Sequence, residues 1–207
     1  MKHHLLPHIK SIHLHALAPS ANSVVLGLDD GYNTSMTTLN HVLLKGDRIY
    51  QHNVFHVNYT TYDVCHNQDT FNPNSSHCDI MMLLAPGDTE EVEQHHFCYA
   101  CIVGAYHMNV QYIGPGLNDY KTHQLDFLHV RWFERIPPEL QCRVKLDILR
   151  FIPINNKGAF GFIDPVEILR GCHLIPTFAK ERPQSDRAVP SPIARDCNDW
   201  KYYYVNR

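Results

Sequence analysis

The stretch FCYACIVGAYHMNVQYIGPGLNDYKTHQLDFLHVRWFER, residues 97–135, decides the fold. Two apolar, aromatic-rich runs, Phe97 to Tyr106 and Leu125 to Phe133, flank a polar segment that holds Gly114-Pro115-Gly116. β-Branched and aromatic residues suit a pleated, half-buried surface, and Gly-Pro-Gly breaks the chain between the runs. The pattern predicts two antiparallel strands of a small β-barrel. Ile136-Pro137-Pro138 closes the second strand, because proline cannot donate to a ladder.

Upstream, Arg48 to Asp63 (RIYQHNVFHVNYTTYD) alternates partially between apolar and polar residues and predicts one or two strands. CHNQDTFNPNSSHCD, residues 65–79, reads as turn chemistry, and IMMLLAP, residues 80–86, as a short strand. GDTEEVEQ, residues 87–94, reads as an acidic solvated loop. Downstream, Val144 to Ile152 and Cys172 to Phe178 are expected strands, and Phe160 to Ile163 a short buried patch. Asp164-Pro165 offers an N-cap followed by proline at the first helical position, so Val166 to Arg170 is expected to form one helical turn ended by Gly171. Residues 181–199 read as a loop, and Trp200 to Val205 as the last strand. Trp132 and Ile102 are expected in the core, with Phe162 and Ile168 closing one end.

Residues 1–46 carry scattered histidines around Pro7 and Pro19 and form no convincing element. The organisation expected is an irregular N-terminal extension over 1–46 and one domain over 47–207. The fold class is mainly β: a distorted, SH3-like barrel with one short helix.

A chain of 207 residues with 44% hydrophobic content can bury a core. No run of 18 apolar residues exists, so no membrane-spanning segment is expected, and the first 17 residues lack a secretory apolar region. Seven cysteines without repeated pairing read as reduced thiols. An intracellular, nuclear setting is expected. Charge is uneven: no Lys or Arg lies between Ile49 and Tyr120, whereas fourteen lie between Lys121 and Arg207. Phosphate binding needs clustered cations, so nucleic acid would have to engage the C-terminal part.

The chemical constellations are weak. His95, His96, Cys98 and Cys101 suggest zinc, but residues three apart on a strand point to opposite faces and cannot converge on one ion. Seven cysteines and sixteen histidines make Cys–His pairs easy to assemble, yet no local signature selects a nucleophile. Gly114-Pro115-Gly116 puts proline where a phosphate loop needs an N–H, so it is a turn. No cofactor, metal or catalytic residue is assigned. The aromatic residues either box a methylated ammonium or fill the core, and core packing is the simpler reading. In Tyr202-Tyr203-Tyr204, alternation turns the middle ring away from the other two.

Three blocks together resemble the bromo-adjacent homology (BAH) module, a β-barrel reader of chromatin. Tyr99-Ala100-Cys101-Ile102-Val103-Gly104-Ala105-Tyr106 is similar to its first aromatic strand, and Val130-Arg131-Trp132-Phe133 to its second block. Asp164 to Cys172 resembles the third, followed by Tyr202-Tyr203-Tyr204. The chain also resembles a repetitive family of large basidiomycete fungal proteins linked with transposable elements. The shared segments are Val57 to Asp63, Gln68 to Pro73, Phe127 to Phe133, Ala159 to Pro165 and Asp199 to Arg207. In that family the block lies near the C-terminus of a longer protein, so residues 1–207 are expected to be part of one. The family tends to carry basic residues where Cys65, His66 and Cys101 stand, which suggests a drifting copy; intact selection on the coding sequence would sink that hypothesis.

These resemblances imply a non-enzymatic interaction module that engages chromatin proteins or nucleic acid. Arg131, Arg135, Arg143 and Lys145 would supply positive charge, and Tyr99, Tyr106 and Trp132 a cage. The alternatives are an accessory DNA-binding region of a transposase, a Cys/His hydrolase or metalloenzyme, and a non-functional relic.

Overall fold

The computed structural model describes residues 1–2, 4–9, 40–60, 63, 65–84, 97–114, 117–136, 146–178 and 200–206, with residues 117–119 by backbone alone. Eleven strands are present among them: β1 (Val42–His52), β2 (Phe55–Thr60), β3 (His66–Phe71), β4 (Asp79–Leu83), β5 (Phe97–Gly114), β6 (Leu117–Arg135), β7 (Ile148–Phe151), β8 (Phe160–Ile163), β9 (Ile168–Gly171), β10 (His173–Pro176) and β11 (Tyr203–Asn206). Nine belong to one antiparallel sheet with the path β10-β11-β7-β6-β5-β4-β9, to which β1 adds on β5 and β8 on β6. β2 and β3 form a separate two-stranded ribbon.

The class is therefore mainly β with one short helix, as the apolar patterning predicts. The sheet is nevertheless open. The two ends of this path, β9 and β10, are consecutive in the chain with only Cys172 between them. Two extended segments joined by one residue cannot turn to pair with each other, so the ladder stops there instead of closing into a barrel. Cys172 marks the switch: its N–H donates to the Asp79 carbonyl at 3.1 Å, after which the chain leaves β4 and pairs with β11.

Several local expectations change. The polar segment read as a turn forms β3, because its side chains bond across to β2: Gln68 Nε2 donates to Asn58 Oδ1 at 2.9 Å, and Thr70 Oγ1 pairs with His56 Nδ1 at 3.0 Å. The turn itself is confined to residues 72–77. The two central strands run on through the polar segment between them and reach 18 and 19 residues. The helical turn after Asp164 is shorter than expected, a 3-10 turn over Pro165–Glu167. The Asp164 side chain does cap it, accepting from the Val166 N–H at 2.9 Å. Ile168 is buried and paired with Met82, and that packing draws the chain back to a strand. The loop read over 181–199 lies outside the described residues.

The chain divides into two compact units, Met1–Tyr50 with Tyr106–Asp126, and Gln51–Ala105 with Phe127–Arg207. In the first, residues 4–9 are helical and bury Leu5, Leu6 and Ile9, and β1 begins at Val42, so elements stand within 1–46 where none was expected; Val42, Met108, Val110 and Tyr112 are buried on strands. Tyr50 stacks on His107 at 4.6 Å.

The second unit has two apolar clusters, one on each face of the central strands. On one face Ile80, Met82, Ala100, Ile102, Leu128, Val130 and Ile168 pack together, with Phe55 and Val57 of the ribbon and the half-buried Trp132 against them. On the other, Met81, Tyr99, Phe133, Leu149, Leu174 and Val205 form the core. Period-two alternation along β5 explains the division, since Ala100 and Ile102 face one cluster and Tyr99 the other. Ile102 and Ile168 are core residues as expected. Trp132 packs at the core margin and Phe162 is half-buried. Gly161 is where β8 passes close to Trp132: a Cβ there would lie 2.6 Å from the indole Nε1. Gly161→Ala is therefore expected to cost about 1–3 kcal/mol by overpacking, read as a lower midpoint in urea with an unchanged slope.

Candidate functional site

The residues that the sequence offers as a binding surface separate by burial. Tyr99 is only 2% exposed and its ring belongs to a core cluster. Arg131 is 5% exposed, and its guanidinium carbon stands 3.8 Å from the centroid of the Phe151 ring. Phe151 in turn stacks on Phe133 at 4.0 Å, and Tyr203 meets both edge-on at 5.8 Å. This three-ring cluster carries its own cation, supplied by the chain. Trp132 is half-buried on the opposite face, and the half-buried Tyr106 falls in the first unit.

Two further arginines, on β6 and β7, are also tied. Arg135 pairs with Asp147 at 3.5 Å, and Arg150 Nε donates to Glu134 Oε1 at 2.6 Å. A guanidinium already matched to a carboxylate releases few counterions when it meets phosphate. Arg143 and Lys145 lie outside the described residues. Arg170, on β9, is exposed and stands 5.7 Å over the Tyr59 ring.

Phe160 to Ile163, expected to be a buried patch, is buried only at Ile163 and contributes instead to an aromatic strip on β6 and β8. Their antiparallel register sets His129 opposite Phe162 and Arg131 opposite Phe160. All four side chains therefore share one face, the one turned away from Leu128 and Val130. The His129 ring lies between Phe160 at 5.6 Å, nearly parallel to it, and Phe162 at 5.2 Å; all three rings are half-buried. Phe162 also meets the buried Phe127 edge-on at 5.8 Å, which anchors the strip to the interior. The available signal was the alternation Phe160-Gly161-Phe162, which puts two rings on one side of a short strand with nothing bulkier than Gly161 between them.

Burial holds the His129 imidazole below its ordinary pKa, so the strip is neutral at pH 7. The unfolded chain then binds more protons than the folded one once pH drops below about 6.5, the ordinary value for histidine. This contribution to stability is full above that pH and is lost as pH falls toward the depressed folded value. Unfolding midpoints followed from pH 7.5 to 5 are expected to fall less in His129→Phe than in the parent.

Among the thiols, Cys98 and Cys101 diverge as strand alternation requires. Cys98 Sγ lies 3.8 Å from the Met82 carbonyl, whereas Cys101 Sγ lies 3.4 Å from Cys78 Sγ. His95 and His96 lie outside the described residues. Cys172 is pushed up to about 12 by burial first, then by the negative charge of Asp79 and Cys78, with Arg170 opposing. A thiol so shifted is not an activated nucleophile. Comparison with family models, curated proteins and solved structures finds nothing that matches this chain.

Proposed function

We propose that this chain is a non-enzymatic interaction module whose partner is a protein segment, a chromatin protein being the class that the BAH-like resemblance implies. In that reading it serves a transposon-derived protein in the nucleus. The observation that carries the choice is the half-exposed strip Phe160, His129 and Phe162 on β6 and β8. A row of rings at stacking distance takes up flat or apolar groups of an extended peptide, at about 0.5–1.5 kcal/mol per ring contact beyond area burial. Neutral His129 adds no charge that would select a phosphate. The arginines of β6 and β7 point the same way, since Arg131 is spent on Phe151 and Arg135 and Arg150 on carboxylates.

The test is fluorescence polarisation of the purified chain with histone-tail peptides and with single-stranded and duplex oligonucleotides, each at two salt concentrations. A peptide is expected to bind with little dependence on salt, and Phe160→Ala or Phe162→Ala to weaken it about 3- to 10-fold. Salt-steep binding of duplex, unaffected by either substitution, would favour the accessory DNA-binding reading instead.

A further inference from the structure

Three ligand atoms of the kind that hold a thiophilic cation meet at the start of β4. Cys78 Sγ and Cys101 Sγ are 3.4 Å apart, and a carboxylate oxygen of Asp79 joins them with all three atoms within 4.8 Å of one another. The ladder fixes this meeting. Asp79 stands directly opposite Cys101 in the β4–β5 register, and the Ile102 N–H donates to the Cys78 carbonyl at 2.7 Å. Cys172 arrives from another direction, held by its N–H on the Asp79 carbonyl at the point where β9 gives way to β10. Segments distant in sequence thus bring two thiols and a carboxylate together, with the backbone of Cys172 beside them.

We infer that Cys78, Asp79 and Cys101 form a binding site for a zinc-class divalent cation, with solvent completing its coordination. The dimensions fit. Zinc–sulfur bonds of about 2.3 Å in a tetrahedron set two thiolates roughly 3.8 Å apart, so the pair at 3.4 Å needs to open by a few tenths of an ångström. Asp79 sits beside Cys101 on the sheet, and its reach spans the remaining gap at a zinc–oxygen distance of about 2.0–2.2 Å. Chemistry favours the ion over a disulfide. A carboxylate has no part in a sulfur–sulfur bond. A cation makes use of all three groups, with both thiol protons leaving to solvent as it binds. Cys78 packs in one apolar cluster and Cys101 touches both, so the ion would pin β4 and β5 together.

Sixteen histidines make zinc uptake alone an ambiguous readout, so cobalt(II) serves as the probe. The folded chain, stripped of metal under reducing conditions, is titrated with cobalt(II) and then with zinc(II). Stoichiometric thiolate-to-cobalt charge-transfer absorption, displaced by zinc, is expected in the parent. It is expected to persist in Cys65→Ser, which alters an exposed thiol, and to disappear in Cys78→Ser and Cys101→Ser. Asp79→Asn, which keeps volume and both thiols, is expected to bind more weakly, and zinc to raise the thermal midpoint of the parent. Absence of the charge-transfer band in the folded parent overturns the site. So does its persistence in Cys101→Ser, or a Cys78–Cys101 disulfide in the chain purified without oxidant. If either serine variant fails to fold, the parent titration and Asp79→Asn still decide.

Discussion

Tyr99→Ala is expected to lower the stability of the second unit by about 3–5 kcal/mol, the range for emptying a buried aromatic site. The ring is 2% exposed and sits among Met81, Phe133, Leu149, Leu174 and Val205, with Met81 directly opposite it across the β4–β5 ladder. Those neighbours come from β4, β6, β7, β10 and β11, so they cannot collapse onto the vacancy without moving several strands at once. Against a total of about 5–15 kcal/mol, that loss consumes a third or more of the stability of an ordinary domain. It should depress the thermal midpoint by about 10 °C, at roughly 2–4 °C per kcal/mol for a chain of this size. Tyr99→Phe retains the ring and loses one hydroxyl, so its cost should stay within about 1.5 kcal/mol. The resemblance to a chromatin reader offers the opposite expectation, that Tyr99 lines a ligand cage. A cage residue would lose binding on truncation and leave the midpoint almost unchanged. Measuring both quantities on Tyr99→Ala separates the two roles.

The same residue shows what the sequence makes legible and what it conceals. Alternation along 97–106 identifies a strand with two apolar faces, and the structure buries both. It does not say what covers each face, because the cover over Tyr99 comes from β7, β10 and β11, which return to the sheet from far along the chain. β3 was hidden for a related reason. HNQDTF carries the composition of a turn, and only its partner FHVNYT gives its polar side chains something to bond. The long strands were half legible: the aromatic runs mark the parts of β5 and β6 in the second unit, while polar residues disguise the continuations. The thiol pair was concealed most completely. Cys78 and Cys101 are separated by 23 positions, and their meeting follows from the register Asp79 to Cys101, which no local spacing encodes. Cys98 and Cys101, adjacent enough to suggest zinc, are kept apart by the period of two. Proximity in sequence misled where register decided.

Arg131 carries the second large effect, and it too opposes a surface role. Arg131→Ala is expected to cost about 2–4 kcal/mol, combining a cavity where the stem packed with the loss of a desolvated cation–π contact of about 2 kcal/mol. The side chain is 5% exposed, and its guanidinium covers the ring that Phe133 stacks on from β6. An exposed arginine kept for phosphate binding would change stability by no more than about 0.5 kcal/mol when truncated. Arg131→Lys should not rescue the parent stability, because an ammonium neither stacks nor sheds water as a guanidinium does. Arg131→Met should recover the packing of the stem without the charge, leaving a deficit close to the cation–π term alone. A double-mutant cycle with Phe151→Leu isolates that term, expected at about 1–2 kcal/mol of coupling. Zero coupling, together with stability within about 0.5 kcal/mol of the parent and lost ligand binding in Arg131→Ala, would return this arginine to the ligand surface. Otherwise the Val130-Arg131-Trp132-Phe133 block is kept for folding: Val130 fills one core, Phe133 the other, and Arg131 locks the ring on which Phe133 rests.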